Sequence, residues 1–279
     1  MLGNCPVFPA DNAWNADVSA YPIHPNSAAY IASINSTNNK FLHADFGENP
    51  DYGIPYVVVD GSQPKVPITF TAYGDESDPG PYPIPPNAPV EGGSDRHVLV
   101  ADGQNCMLYE LFVAEYNGTG WNADSGAAFN LLSNALRPLG WTSADAAGLP
   151  ILPGLVRYDE VAAGSINHAL RFTVSQSQRA FILPATHFAS SSTSANLPPM
   201  GLRLRLKASY DISGFSGQSR VILEALKKYG MIVADNGSSW FISGGTDSRW
   251  NDDDLNQLKT VPGNMFEAVY TGDLITQVP

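Results

Sequence analysis

The 279-residue chain carries little charge, and most of that charge is acidic. Lysine and arginine together number 15 against 27 aspartates and glutamates, which gives a formal net charge of −12. Nucleic-acid binding and attachment to anionic membranes both depend on basic side chains that neutralise phosphates. The composition therefore argues against a nucleic-acid partner and against an anionic membrane surface.

Long apolar runs and cysteines are also scarce. No stretch of about 18 apolar residues occurs, so the sequence predicts no membrane-spanning helix. The two cysteines, Cys5 and Cys106, could form one disulfide or remain as two buried thiols. The low lysine content, the richness in Asn, Ser, Thr and Gly, and the possible cysteine pair together favour a secreted, extracellular protein.

Several catalytic signatures are missing. The chain has no G-x-S-x-G nucleophile elbow, no H-E-x-x-H zinc helix, no P-loop and no dinucleotide-binding fingerprint. Cys5 and Cys106 also lack zinc-site spacing. Any catalysis must therefore come from carboxylates and histidines outside these motifs, and the sequence does not require a cofactor, although a divalent metal ion remains an option.

Apolar residues and turn formers are plentiful. Hydrophobic residues make up 43% of the chain, and its 25 glycines and 22 prolines are spread between short apolar runs. This pattern is typical of many short strands joined by turns. We expect a mainly β protein, an antiparallel β-sandwich or jelly roll with long loops and one or two short helices. Residues 1–279 are expected to form a single domain, with residues 1–50 as a loop-rich segment packed on it.

Three segments carry the clearest local signals. The apolar periodicity of Ser216–Tyr229, followed by Gly230, predicts a helix. Asn236-Gly237 between two apolar runs predicts a hairpin with a type I′ turn. The alternation in Leu202–Lys207 predicts a strand whose basic residues share one face, which is ordinarily a solvated face.

The segment Asp95–Tyr116 reads as a β-hairpin. A two-residue loop at Gly103-Gln104, or a four-residue loop from Asp102 to Asn105, places His97 directly opposite Glu110. A three-residue loop would separate them. Such a pair on an apolar strand face is either a buried structural hydrogen bond or a catalytic pair.

The same hairpin contains the spacing Glu110-Leu111-Phe112-Val113-Ala114-Glu115. It resembles the E-x-D-x-x-E strand of jelly-roll endoglucanases such as laminarinases, with Phe112 in place of the central Asp. The resemblance covers six residues and implies a polysaccharide-cleaving carboxylate at Glu110. The missing Asp leaves the retaining mechanism of that family open.

A second group of candidates follows along the chain. Residues 166–183 read as another hairpin, which would bring His168 and His187 to one face with Arg171 nearby. Together with His97 and Glu110, these histidines could ligate a metal, as in cupin-like barrels. Without a metal, a histidine base and Arg171 could serve a polysaccharide lyase.

The loop Gly74–Gly93 contains three neighbouring carboxylates, Asp75, Glu76 and Asp78. They could bind calcium or simply form a solvated acidic turn. Four aromatic residues in or beside predicted loops could stack on sugars instead of packing in the core. They are Trp121, Trp141, Trp240 and Tyr82.

These observations favour a secreted enzyme that cleaves a polysaccharide or oligosaccharide, as a glycoside hydrolase or a lyase. The expected catalytic residues are Glu110, His97, His168, Arg171 and Asp235. One alternative is a non-catalytic glycan-binding or cell-surface module that uses the same aromatic residues. Another is a cupin-like metal-dependent enzyme.

Overall fold

The computed structural model describes residues 2–278. The helices are α1 (Ser27–Ile34), α2 (Tyr158–Ala162), α3 (Gly217–Lys228) and α4 (Asp252–Leu255). The strands are β1 (His43–Asp45), β2 (Tyr56–Val59), β3 (Ile68–Phe70), β4 (Val98–Asp102), β5 (Met107–Phe112), β6 (Glu115–Tyr116), β7 (Trp121–Ala123), β8 (Ser125–Asn130), β9 (Leu170–Val174), β10 (Arg203–Leu206), β11 (Met231–Asn236), β12 (Phe241–Ser243) and β13 (Phe266–Val269).

The strands form three sheets. The largest has the order β1-β12-β9-β11-β10-β13, and the others are β2-β4-β5-β8 and β3-β7-β6. Each sheet mixes parallel and antiparallel pairs; β1 runs parallel to β12, β2 to β4 and β3 to β7. The prediction of a strand-rich protein with few helices is confirmed, whereas the jelly-roll sandwich is not.

The β4–β5 hairpin lies between two clusters of buried apolar residues. Leu99 and Ala101 pack into the larger cluster, and Val98 and Val100 pack into the smaller one. Because successive side chains point to opposite faces, a strand covered on both sides reads as a continuous apolar run. This explains the run of apolar residues that begins at Val98.

The predicted register of this hairpin is wrong by one residue on each strand. Asp102 pairs with Met107, and Glu110 lies opposite Leu99 instead of opposite His97. The Asp102 side chain accepts hydrogen bonds from the backbone amides of Gln104 and Asn105, which stabilises a four-residue turn after Asp102. Glu110 is therefore a diagonal neighbour of His97 on the same face.

The N-terminal segment is fixed to this turn by the Cys5–Cys106 disulfide. The disulfide, one of the two alternatives left open by the sequence, is thus present. Helix α1 follows Asn26, and its residues Tyr30, Ile31 and Ile34 are buried.

Helix α3 confirms the clearest helix prediction, and Gly230 ends it with a positive φ of 66°. Its first free amides, at Gln218 and Ser219, are capped by the Asp254 side chain and not by Ser216. Among residues 2–278, no helix combines the length and the apolar character needed to cross a membrane.

Both hairpins predicted in the second half of the chain are wrong for the same reason. Strand β9 lies between β11 and β12, so the two strands that flank Asn236-Gly237 do not pair with each other. Residues 179–183 do not pair with β9 either; Phe181 instead forms isolated bridges with Met200 and Ile275. Strand pairing across long sequence separations has overridden the local turn signals.

Candidate functional site

One face of the large sheet gathers polar side chains in two adjacent rows. In the first row, Asp45 on β1 pairs with Ser243 on β12, whose hydroxyl lies 2.7 Å from Arg171 Nη1 on β9. In the second row, Thr173 on β9 pairs with Asp235 on β11. These contacts bring residues separated by almost 200 positions to one surface.

A β-bulge places Asp235 on that surface. Val233 pairs with Phe172 and Asp235 pairs with Thr173, so Ala234 is an extra residue on β11. Without the extra residue, Asp235 would point to the opposite face, where Phe172 packs in the large apolar cluster. The bulge therefore moves a carboxyl group from the core side to the polar side.

Arg171 forms the centre of the site. It is buried, and its Nε and Nη2 donate to Asp145 Oδ2 at 3.1 and 2.9 Å. Asp145 is also buried, and its Oδ1 accepts a hydrogen bond from the backbone amide of Ala147. Burial raises the pKa of Asp145, while the adjacent Arg171 opposes that shift. The guanidinium charge is matched by this carboxylate.

His97 approaches from the four-stranded sheet. Its Nδ1 contacts Glu91 Oε2, and its Nε2 lies 2.9 Å from the carbonyl oxygen of Ala144. Burial by itself lowers the pKa of His97, but the hydrogen bond and charge of Glu91 outweigh it and raise that pKa. Because both ring nitrogens face acceptors, both donate when His97 is an imidazolium paired with the Glu91 carboxylate.

The Asp235 carboxyl group is in a different position. Burial, together with the negative charge of Asp145, raises its pKa to about 7, although Arg171 acts in the opposite sense. Its one hydrogen bond from residues 2–278 comes from the adjacent amide of Asn236, at 2.6 Å. Asp145 accepts two hydrogen bonds from Arg171 and one from the Ala147 amide, so the Asp235 carboxylate is the less stabilised of the two.

These groups line a cavity of about 380 Å³. Arg171, His97, Glu91, Asp45 and Asp235 all contribute to its wall. Asp235 also lines a second cavity of about 210 Å³, whose wall includes Asp145. Asp235 therefore lines both cavities.

The first cavity continues into a third of about 450 Å³. The two share Asp45, Tyr52 and Phe241. His43 stacks on Phe241 in the third cavity, with ring centroids 4.6 Å apart. Because they share these three residues, the two cavities form one cleft.

The cleft carries unbalanced negative charge. Arg171 is matched by Asp145, and His97 is matched by Glu91. Asp45, Asp51 and Asp95 line the same cavity without a salt bridge to a cation within residues 2–278. Burial raises the pKa of Asp45; Arg171 opposes that shift, and the charge of Glu91 adds to it. Such a surface favours a neutral or cationic ligand.

Glu110, predicted as the central carboxylate, lies outside the cleft. It is fully buried, and its two oxygens accept hydrogen bonds from the backbone amides of Ile151 and Leu152 at 2.8 to 3.0 Å. Burial raises its pKa to about 7 even though these amides oppose the shift. Its position is structural, since it holds the segment at residues 151–152 against β5.

His168 and His187 are not brought together by the predicted hairpin. His168 is bound by Glu160 and by the carbonyl oxygen of Ala169. His187 lies against Ala146, with Glu76 at 3.9 Å. In the described part of the chain, no three His, Cys, Asp or Glu side chains are grouped as metal ligands.

The acidic turn of the Gly74–Gly93 loop is used for internal contacts. Asp78 pairs with Arg137, and Glu76 accepts a hydrogen bond from the backbone amide of Thr142 at 3.0 Å. Asp75 is exposed. Asp78 and Glu76 thus have separate partners and Asp75 is exposed, and the three carboxylates are not grouped as metal ligands.

The aromatic residues expected to stack on sugars are mostly in the core. Trp121, Trp240 and Tyr82 are each at most 1% exposed, so their rings are not available to a ligand. Trp141 is half-buried beside Arg137. Trp121, Trp240 and Tyr82 therefore do not form the expected aromatic platform, because their rings are buried in the core.

The sequence analysis does not identify three residues of the site. Asp45 ends a short alternating strand, Glu91 sits beside Gly92-Gly93, and Asp145 follows Thr142-Ser143 in a tight turn. The alternation before Asp45 was the one usable signal. Glu91 and Asp145 lie in irregular segments, so their place in the site follows only from contacts with residues far away in the sequence.

We compared the chain with protein-family models, curated proteins and solved structures, and none of them matches it.

Proposed function

We propose that the protein is a glycoside hydrolase, with Asp235 as the general acid. The observation that carries the proposal is a half-buried aspartate, raised in pKa to about 7, that lines an acidic cleft. Glycosidases use one carboxyl group to protonate the leaving oxygen while a second carboxylate stabilises the sugar cation or activates water. At neutral pH a large fraction of Asp235 carries the required proton.

Glu91 is our choice for the second carboxylate. It lines the same cavity and is oriented by His97, which also receives support from the Ala144 carbonyl. Asp45 is a weaker choice, because β1 and β11 are separated by β12 and β9. Three strand spacings correspond to roughly 14 Å, which exceeds the separation of about 5 to 9.5 Å that glycosidase carboxylates require.

A lyase is less well supported than a hydrolase. A lyase needs a cation free to neutralise a uronate and a base free to remove a proton. Arg171 is already held by Asp145 and Ser243, and both nitrogens of His97 are engaged. The negative cleft would also repel a polyuronate.

The cleft also supports catalysis over passive glycan binding. A binding module would present a flat strip of exposed aromatic rings, but Trp121 and Trp240 are buried. Instead, several titratable side chains converge on one cavity, which is the arrangement expected of an active site. The disulfide is compatible with secretion, which we retain as part of this proposal.

The test is release of reducing ends from a panel of polysaccharides. The panel contains neutral glucans, xylan, mannan and arabinan, the amino polysaccharide chitosan, and polygalacturonate. We expect cleavage of a neutral or amino polysaccharide, lost by about 100-fold or more in Asp235→Asn and in Glu91→Gln. The matched control is Asp253→Asn, which makes the same chemical change at an exposed residue on α4.

Circular dichroism on each variant separates lost chemistry from lost folding. Cleavage of polygalacturonate with formation of an unsaturated, ultraviolet-absorbing product would replace the hydrolase with a lyase. Full activity in Asp235→Asn would reject the proposed role of that residue.

A further inference from the structure

A second arginine lies buried on the same face of the large sheet as Arg171. Arg203 on β10 pairs with Ile232, and Ile232 pairs with Arg171 on its other side. Arg203 is 3% exposed and Arg171 is 4% exposed. The expectation that the basic face of Leu202–Lys207 is solvated is therefore wrong for Arg203.

The two arginines differ in their partners. Arg171 is matched by the Asp145 carboxylate. Arg203 Nη2 donates to the carbonyl oxygens of Ala13 and Ala16 at 2.8 and 3.3 Å, and its buried Nε has no hydrogen-bond partner within residues 2–278. A buried cation with only neutral partners is costly, because its desolvation is not offset by an opposite charge.

Arg203 borders a cavity of about 100 Å³ that contains a second unsatisfied group. The buried Oγ1 of Thr271 lines the same cavity and also has no partner among the described residues. Buried polar groups almost always have a partner in the protein or in bound solvent, so two groups without a protein partner on one cavity point to a polar molecule that binds there. Tyr21 and Leu183, 38% and 43% exposed, lie on its wall and give access from solvent.

We propose that this cavity is a binding site for a short-chain monocarboxylate. The carboxylate would accept hydrogen bonds from Arg203 Nε and Thr271 Oγ1 and would neutralise the buried guanidinium. The other walls are largely apolar and include Val18, Pro184 and Ile232. They would pack against a short hydrocarbon tail, from which an inorganic anion would gain nothing.

Two further observations agree with an anionic ligand of this size. Burial lowers the pKa of Arg203 to about 9, so the side chain stays positively charged at neutral pH while lacking a counter-charge. The cavity is less than a third of the volume of the candidate catalytic cavity, which is about 380 Å³. It has room for a few heavy atoms and not for a sugar ring.

Saturation-transfer NMR on sodium propionate tests this proposal with the whole protein. We expect transfer to the propionate methyl protons in the native protein, reduced by about tenfold or more in Arg203→Met. Methionine keeps much of the side-chain length and removes the charge. Arg179→Met, which removes an exposed arginine, is the matched control and should retain the signal.

Thr271→Val provides a second, milder variant in case Arg203→Met does not fold. It removes the hydroxyl with little change in shape, and we expect a several-fold weaker signal. Equal transfer in native protein and Arg203→Met, or no transfer in the native protein, would overturn the proposal. Displacement of propionate by chloride or phosphate at equal concentration would also contradict it, since the site would then accept any anion.

Discussion

Glu110 and Asp235 share one electrostatic property but lie in very different surroundings. Burial raises the pKa of each carboxyl group to about 7. Glu110 is 0% exposed and is bound by the backbone amides of Ile151 and Leu152. Asp235 borders two cavities and receives one hydrogen bond, from its neighbour Asn236. A raised pKa therefore identifies a desolvated acid, whereas access and spare hydrogen-bonding capacity identify an acid that can act on a substrate.

The largest expected difference between the two carboxyl groups is in catalysis. We expect Asp235→Asn to reduce polysaccharide cleavage by roughly 10²- to 10⁴-fold, the usual contribution of a general acid. Folding should be unaffected or slightly favoured, because the amide carries no charge to desolvate. Initial rates and urea unfolding of the same samples measure both effects. A variant that is inactive because it is unfolded would not support the assignment.

The second comparison sets the buried Arg171–Asp145 ion pair against an ion pair at the surface. Arg171→Met leaves the buried Asp145 without its cation, and we expect a loss of about 3 to 5 kcal/mol in the free energy of unfolding. The control is Arg249→Met, whose arginine is half-exposed and pairs with Asp247. It should cost about 1 kcal/mol or less. Equal losses would show that the Arg171–Asp145 pair is no more important than a surface pair.

The pH dependence of stability follows from the direction of the Glu110 shift. The pKa rises from an ordinary value of 4.5 to about 7 on folding, so the native state binds more protons between these values. The contribution of Glu110 to the free energy of unfolding is therefore greatest below about pH 4.5. It falls by about 3 kcal/mol in total as the pH rises towards 7.

Glu110→Gln should flatten that slope, and Asp235, which shifts in the same direction, should account for a remaining part. Urea unfolding at several pH values between 4.5 and 8 measures the slope. An unchanged slope in Glu110→Gln would contradict the assignment of the raised pKa to this residue.

The smallest expected effect is that of Glu110→Gln on stability at a single pH near 7. The glutamine NH₂ group would face the amides of Ile151 and Leu152, and one acceptor would be lost. We expect a cost of about 1 to 3 kcal/mol. Cleavage per folded molecule should stay close to that of the native protein. A collapse of activity without a loss of stability would reverse the roles of the two carboxyl groups.

Local features of the fold were predictable from the sequence. Helix α3, its end at Gly230 and the buried face of α1 follow from periodicity and capping preferences, which depend on neighbouring residues. The strand-rich character follows from the spacing of turns. These features are encoded within about ten residues each.

The site depends on features that are not local. The sequence identifies His97, Arg171 and Asp235 as candidates. Arg171 and Asp235 meet because β9 lies between β11 and β12 and because β11 has a bulge at Ala234, whereas His97 comes from the segment that precedes β4 in another sheet. A bulge moves a side chain to the other face without leaving a pattern in the sequence. The sequence predicts a catalytic role for Glu110, because a strand sequence does not show that the backbone amides of residues 151–152 bind its carboxylate.

The most direct test of this account compares two variants on one neutral polysaccharide. Reducing-end release is measured for Asp235→Asn and Glu110→Gln near pH 6, with each rate divided by the concentration of folded protein. We predict that Glu110→Gln cleaves at close to the native rate and that Asp235→Asn is slower by roughly 100-fold or more. A native-like rate in Asp235→Asn together with an inactive but folded Glu110→Gln would contradict the account.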